Sequence, residues 1–213
     1  MTRKAAALDS ALNAAAQESG SREKLLAATL ELLTGGCLHT ISLRDIANAA
    51  KVNSALISYY FGGKEQLYAA LIHQQFEDYR QQVVTCFKVE GDPRENLRTA
   101  CAALASFHRS HPHWMLLYFR ELTNPSPSYE TVILPCIAEA AARADAMIQA
   151  GIDQGVFRAD TNPRYVVQSL VGTINYSVLT NRLHRDLQLA PAEDLVAYFD
   201  FVLTMLQRQI CTP

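Results

Sequence analysis

The sequence lacks the cysteine pattern of a disulfide-bonded or zinc-binding domain. Its five cysteines are an odd number among 213 residues, stand far apart and include no CxxC pair, so neither a disulfide framework nor a zinc ribbon is indicated. They are Cys37, Cys86, Cys101, Cys136 and Cys211. Reduced thiols are the simplest interpretation. Cys101 and Cys136 would act as thiol sensors only if exposed and ionised, and buried apolar thiols are commoner.

Long hydrophobic runs and an excess charge of one sign are also missing. No stretch approaches about 18 uninterrupted apolar residues, and the first twenty residues lack the apolar segment of a secretory signal. We therefore expect a cytoplasmic protein without membrane contact. The 19 Lys and Arg against 21 Asp and Glu give a formal net charge of -2, which does not support a highly basic nucleic-acid coat protein. The net charge does not exclude a sequence-specific nucleic-acid-binding protein whose positive charge is local.

The alternation of apolar and polar residues that marks β-strands is nearly absent. Apolar residues instead recur at spacings of three and four, which predicts an all-α fold. In the first third of the chain this predicts a helix from about Ser21 to Gly35–Gly36, a second from Ser42 to about Ala50, a short third over residues 54–61, and a long fourth from Lys64 towards Phe87. Ser42 and Asp45 have the spacing of a capping box.

Prolines mark helix starts in the remainder. Asp92 and Pro93 open one helix, Asn162 and Pro163 another and Pro191 the last, while a further helix is expected over residues 129–150. The helices over 163–185 and 191–210 carry apolar residues on more than one face. This is more apolar surface than a single small core can bury. This excess predicts a second subunit packed against them.

The segment from Ser42 to Tyr68 carries the functional pattern. Two short helices joined by a turn at 51–53 form a helix-turn-helix, whose second helix can enter the major groove. Val52 and Ile57 are expected to pack inward with Ile46 and Phe61. The candidate DNA contacts are Ser42, Arg44, Asn53, Ser54, Ala55, Ser58, Tyr59, Tyr60 and Lys64, because they offer short or flat groups for base edges and donors for phosphate.

These residues closely resemble the DNA-binding domain of the TetR family of transcriptional repressors over Arg22–Leu67. The resemblance lies in the final Gly36 of the first helix, in Ser42-Leu43-Arg44-Asp45-Ile46-Ala47, in Val52, and in the run from Tyr60-Phe61 through Lys64-Glu65-Gln66-Leu67. Two positions depart from the family pattern. Lys51 stands where a glycine is usual, so a left-handed backbone is expected there, and Ser58 stands where a tyrosine usually contacts phosphate, a contact that Tyr59 would take over.

The resemblance implies a homodimer formed by the last two helices, a palindromic double-stranded DNA operator and a small-molecule effector bound in a larger domain. We expect three parts: a flexible arm over residues 1–20, interpreted so from the composition of that segment, a helix-turn-helix domain over 21–67, and an effector-binding and dimerisation domain over 68–213. The expected function is a ligand-responsive repressor, not an enzyme, with no cofactor.

An aromatic-rich stretch and two later helices supply the candidate effector site. Its candidate residues are His111, Trp114, Tyr118, Arg120, Glu121, Tyr129, Met147, Asn175 and Tyr176. The competing interpretation is that the aromatic residues are ordinary core and that Arg120 and Glu121 are exposed or engaged in structural ion pairs.

Other functions have weaker support. His108, His111 and His113 do not have an established metal-ligand spacing, and no metal site is predicted. No catalytic triad, phosphate-binding loop or paired acidic motif is present. A helical small-molecule carrier or enzyme without DNA function, and an assembly adaptor that uses the apolar helices, remain the alternatives.

Overall fold

The structure, a computed structural model, describes residues 20–33, 40–186 and 195–212. Residues 1–19 of the predicted arm, the helix end at Gly35–Gly36, Cys37 and the helix start at Pro191 lie outside the described residues. Two compact units divide the chain after Gln74. The first contains helix α1 (residues 20–33), α2 (Leu43–Ala50), α3 (Ala55–Phe61) and the beginning of α4 (Lys64–Gln82).

The second unit holds the rest of α4 and five further α-helices. They are α5 (Pro93–Ser110), α6 (Trp114–Thr123), α7 (Leu134–Asp153), α8 (Pro163–Asp186) and α9 (Leu195–Ile210). The described ranges contain no β-strand, and an isolated antiparallel bridge joins Phe157 to Cys211. The prediction of an all-α fold is therefore confirmed. The domain boundary after residue 67 stays a prediction.

The first unit is small and its core is built from one face of each helix. Leu25 and Leu26 of α1 are buried, as are Ile46 of α2 and Ile57 of α3. Val52 and Phe61, expected in this core, are only half-buried. Helix α3 fully buries Ile57 alone, and Ala55, Ser58 and Tyr59 are exposed.

Two predicted helices differ from those observed. The fourth helix was expected to reach Phe87, whereas α4 ends at Gln82 and a 3-10 turn follows over Val84–Cys86. Val83, Val84 and Thr85 are a β-branched run, which disfavours helix. The helix expected from residue 129 begins with a π-turn over Tyr129–Ile133 before α7. The wider turn precedes Pro135, which has no amide hydrogen to donate to a regular α-helical bond.

The predicted helix starts at prolines are confirmed for α5 and α8. The Asp92 carboxylate accepts a hydrogen bond from the amide of Arg94 at 2.8 Å, and Pro93 occupies the first helical position. Helix α8 begins at Pro163. Leu97, Cys101, Leu104 and His108 are all buried along α5, as the spacing predicts.

The end of the chain is tied to the segment after α7. The amide of Arg158 donates to the carbonyl of Ile210 at 2.8 Å, and the amide of Thr212 donates to that of Val156 at 3.0 Å. Between them Phe157 is buried against Gly151, where an added Cβ would overlap its ring. No described helix is both long and apolar enough to cross a membrane.

Candidate nucleic-acid interface and ligand cavity

A complete capping box starts α2. The Asp45 carboxylate accepts hydrogen bonds from the Ser42 amide at 2.8 Å and the Ser42 hydroxyl at 2.7 Å, while the Asp45 amide donates to the Ser42 hydroxyl oxygen at 3.1 Å. These bonds lower the pKa of Asp45, chiefly through the Ser42 hydroxyl. The first-turn amides of Leu43 and Arg44 have no acceptor within the helix and can face a phosphate.

Two candidate cationic contacts lie close to this capping box. Arg44 and Lys64 both contribute to the lowered pKa of Asp45 through their charge. Arg44 is exposed and Lys64 is half-buried at the first position of α4. The first turns of α2 and α4 therefore bring two cationic side chains near the Asp45 carboxylate.

The turn between α2 and α3 depends on Lys51. Its backbone is left-handed, with φ 55° and ψ 43°, and its amide donates to the carbonyls of α2 to end that helix. It is the non-glycine residue with positive φ in the described part of the chain. The left-handed backbone expected at Lys51, where the family pattern has a glycine, is confirmed.

Helix α3, which the sequence predicts to enter the major groove, begins with a side-chain cap from Asn53. The Asn53 Oδ1 atom accepts a hydrogen bond from the amide of Ala55 at 2.9 Å, whereas Ser54 makes no side-chain cap. This capping role was not predicted, although an asparagine before a short helix is typical of such turns. The side-chain nitrogen Nδ2 is the donor end of Asn53 and is the part of this candidate residue that could donate to DNA.

Most of the candidate contacts on α3 reach solvent. Ser54, Ala55 and Ser58 are exposed, and Tyr59 is 70% exposed. Tyr60 is half-buried, with its ring 5.0 Å from that of Tyr59 and 6.3 Å from that of Phe61 between centroids.

Arg22 of α1 contacts the C-terminal residue of α3. Its guanidinium lies 5.3 Å from the centroid of the Phe61 ring, a cation–π contact that the sequence pattern did not reveal.

The second unit encloses a cavity of about 350 Å³. Helices α4 to α8 and the turn after α4 contribute its walls. Its aromatic side chains are Tyr79, Phe87, Trp114 and Tyr118. Its polar side chains are His108, Asp145, Arg164, Gln168 and Asn175, and its aliphatic ones are Leu104, Ile137, Ala140, Ala141, Ala144, Val167 and Val171. The volume falls at the small end of the range of about 300–1,000 Å³ for small-molecule sites.

Three of the nine candidate effector residues line this cavity: Trp114, Tyr118 and Asn175. Tyr176 is 63% exposed on another face of α8. Met147 instead lines a smaller cavity of about 20 Å³. The remaining candidates, which lie outside the wall of the larger cavity, are His111, Arg120, Glu121 and Tyr129.

Glu121 and His111 are engaged in local structure. Glu121 is 1% exposed, and its carboxylate accepts hydrogen bonds from the amide and hydroxyl of Ser126, which fixes the turn before the π-turn. His111 stacks on Phe107 with centroids 4.2 Å apart, and its Nε2 lies 3.8 Å from the Asp78 carboxylate. A spacing pattern cannot separate such local contacts from cavity lining.

Sequence reasoning missed four polar residues of the wall: His108, Asp145, Arg164 and Gln168. Arg164 Nε lies 4.0 Å from the Asp145 carboxylate, and the arginine side chain is largely exposed. His108 is 3% exposed, and burial, with a smaller effect of His111, lowers its pKa to about 4. The signal in the sequence that could have identified His108 was its position on the apolar face of α5.

The cysteines and histidines are not gathered for metal chemistry. Across the described ranges, no three His, Cys, Asp or Glu side chains group as metal ligands. Cys101 is buried, and burial raises the pKa of its thiol to about 12. Cys136 is also buried, which raises its pKa as well. The condition of exposure and ionisation for a thiol sensor is not met at either position.

Comparison with known proteins identifies the family. Residues 25–71 match the family model described as bacterial regulatory proteins of the tetR family, and residues 90–179 match that of the tetracyclin repressor-like C-terminal domain. The chain belongs to the TetR family. This TetR-family chain is 26% identical to the transcriptional repressor NicS of Pseudomonas putida over 203 residues, covering 91% of the chain and 96% of the relative.

Solved structures share the fold of this TetR-family regulator. PfmR of Thermus thermophilus is 20% identical, with a TM-score of 0.69 over 84% of this chain and 97% of that one. FadR of Bacillus subtilis, solved in complex with stearoyl-CoA, is 22% identical, with a TM-score of 0.66 over 86% of this chain and 96% of that one. At this identity the likeness concerns the fold. The relatives by sequence are transcriptional regulators, and the chain is a DNA-binding transcriptional regulator that responds to a ligand.

Proposed function

We propose that this TetR-family regulator is a cytoplasmic repressor that binds a palindromic operator as a homodimer and is released by a small molecule. The observation that carries the proposal is the exposed face of α3, where Asn53, Ser54, Ala55, Ser58 and Tyr59 surround a helix that buries only Ile57. NicS is named a repressor, and this supports repression over activation.

The DNA contacts divide by chemistry. We assign base reading to the exposed short side chains of α3, with Arg44 reaching a guanine edge. We assign phosphate contacts to Tyr60, to Lys64 and to the first-turn amides of Leu43 and Arg44. The candidate Ser42 contributes by capping α2, because its amide and hydroxyl hydrogens are both donated to Asp45. A net charge near neutrality makes such contacts few per subunit, so useful affinity needs two subunits.

The dimer would form through α8 and α9. Tyr176 and Leu179 of α8 are exposed, as are Phe201 and Met205 of α9, and such a surface is typical of an interface. Two recognition helices about 34–36 Å apart would then read successive major grooves.

Release follows from ligand binding in the cavity of the second unit. A ligand shifts a conformational equilibrium only by its differential affinity for the two states. Tyr79 of α4 and residues of α5 to α8 line the cavity, so a ligand that prefers one packing of these helices can disfavour the DNA-binding form.

Selection of bound duplexes from random DNA tests the proposal. We expect enrichment of an inverted repeat. Lys64→Ala should then weaken binding to all sequences and make the salt dependence shallower by about one unit, while Arg44→Ala should relax the preference at one base pair. Lys88→Ala, at an exposed lysine of the second unit, is the matched control. Failure to enrich any sequence would contradict the function, and unchanged affinity of Lys64→Ala would contradict the phosphate contact.

A further inference from the structure

The cavity carries no net formal charge. Among its lining residues, Arg164 and Asp145 are the charged pair, and they face each other at 4.0 Å. The Arg164 side chain is 81% exposed, so its charge is solvated at the rim. A buried anionic group would lose its hydration without gaining a dedicated cation.

The inner wall is aromatic. The Trp114 ring stacks with Tyr79 at a centroid distance of 4.7 Å and with Tyr118 at 5.2 Å. All three side chains line the cavity. Aromatic side chains in a cavity wall favour a ring-containing ligand over a flexible chain, because aromatic contacts add to apolar burial.

The same wall holds buried nitrogen atoms without partners. Trp114 Nε1 and both ring nitrogens of His108 are buried and make no hydrogen bond, and the two rings meet with centroids 5.9 Å apart. The indole nitrogen is a donor only, and a neutral imidazole has one donor and one acceptor. A buried donor left unpaired costs free energy that a ligand oxygen recovers.

We propose that the effector is a neutral molecule of one or two rings whose carbonyl or hydroxyl oxygen accepts a hydrogen bond from Trp114 or His108. The inference rests on the proposed function, since it names the class of effector that acts there. The cavity, about 350 Å³, lies at the small end of the range of about 300–1,000 Å³ for small-molecule sites. A small ring compound fits in this volume beside the aromatic wall. Arg164 and Asp145 then lie at the rim.

Three probes of similar shape separate the requirements. Acetophenone is a neutral aromatic ketone, benzoate replaces its acetyl group by a carboxylate, and α-methylstyrene replaces its carbonyl oxygen by CH₂. Binding is followed at pH 7 through the emission of Trp114, the one tryptophan of the chain, in the absence of DNA. We expect acetophenone to bind about tenfold more tightly than benzoate and about fivefold more tightly than α-methylstyrene.

Two variants locate the hydrogen bond. His108→Phe and Trp114→Phe each remove nitrogen donors while retaining a flat ring, and their binding is measured by calorimetry because the second lacks the fluorophore. We expect the ratio of acetophenone to α-methylstyrene affinity to fall towards one in at least one variant. His73→Phe, at an exposed histidine of the first unit, should keep the ratio of the unmodified protein.

Each outcome bears on the inference. Benzoate binding as tightly as acetophenone, a ketone that gains nothing over α-methylstyrene, a ratio unchanged in both variants, or no binding of any probe at millimolar concentration would each overturn it. The wild-type comparison needs no variant to fold. DNA selection with the unliganded protein tests the proposed function separately, so a failure there leaves the probe result intact and the reverse also holds.

Discussion

Asn53 and Ala55 are joined by a hydrogen bond of 2.9 Å from the Ala55 amide to the Asn53 side-chain oxygen. The bond makes Asn53 both the cap of the recognition helix and one of its exposed candidate DNA contacts. Its carbonyl oxygen is engaged within the protein and its NH₂ group is the outward donor. In the proposed DNA complex, capping and DNA contact would use different ends of one side chain, and a substitution can separate them.

Asn53→Asp should preserve the fold and lose DNA binding. The carboxylate still accepts from the Ala55 amide and suits a helix N-terminus, so the unfolding midpoint in urea should be equal or higher. DNA affinity should fall at least about tenfold, because a carboxylate replaces a donor near phosphates and base acceptors. Asn53→Ala is the control and should cost about 1 kcal/mol of stability through the lost cap. Wild-type affinity of Asn53→Asp would rule out a contact at this position.

Lys51→Gly should stabilise the first unit. The left-handed backbone at Lys51 costs a residue with a Cβ about 1 kcal/mol that glycine does not pay. Urea unfolding should show a gain of about that size. Lys51→Ala removes the same charge and keeps the Cβ, and it should show no such gain. Equal stability of the two variants would mean that charge, and not backbone conformation, decides the effect.

His108 should make the protein less stable in mild acid. Its pKa is about 4 in the folded state because of burial, against 6.5 without it. The unfolded chain therefore binds more protons between these values, and stability falls as the pH drops from about 6.5 to 4. The full contribution is about 3 kcal/mol. Urea unfolding at pH 7, 6 and 5 should show a shallower loss for His108→Phe than for wild type, and parallel curves would refute the neutral buried imidazole.

Replacing two exposed residues of α9 by acids should separate the subunits. Phe201 and Met205 are 59% and 49% exposed and lie one helical turn apart. Phe201→Glu with Met205→Glu places charges in the proposed interface, so sedimentation should detect a monomer at micromolar concentration where the wild type is a dimer. Leu116→Glu, at a leucine of α6 that is 45% exposed, should leave the dimer intact. A monomeric wild type would contradict the interface itself.

The helix-turn-helix was predictable from the sequence because its signals are local. Ser42 and Asp45 are three residues apart, and the capping box they form needs no distant partner. The left-handed backbone at Lys51 was likewise predictable, because a lysine stands there where glycine is usual, and the structure has this conformation.

The ligand cavity was less predictable because five helices and a turn build it. Whether a polar residue on α5 or α8 faces a cavity depends on how these helices pack, which spacing within one helix does not encode. Glu121 shows the consequence, since its carboxylate serves Ser126 five residues away. His108 shows the converse, since an apolar helix face concealed a polar cavity residue.

The pairing of residues 156–158 with the chain end also bears on how α9 loses structure. Its last turn cannot fray alone, because the Ile210 carbonyl accepts from Arg158 and the Thr212 amide donates to Val156. Hydrogen exchange at the Arg158 and Thr212 amides should therefore proceed in one shared opening event. A fusion partner joined directly after Ile210 would remove the bond from Thr212 to Val156, whereas a linker that retains Cys211 and Thr212 would keep both hydrogen bonds.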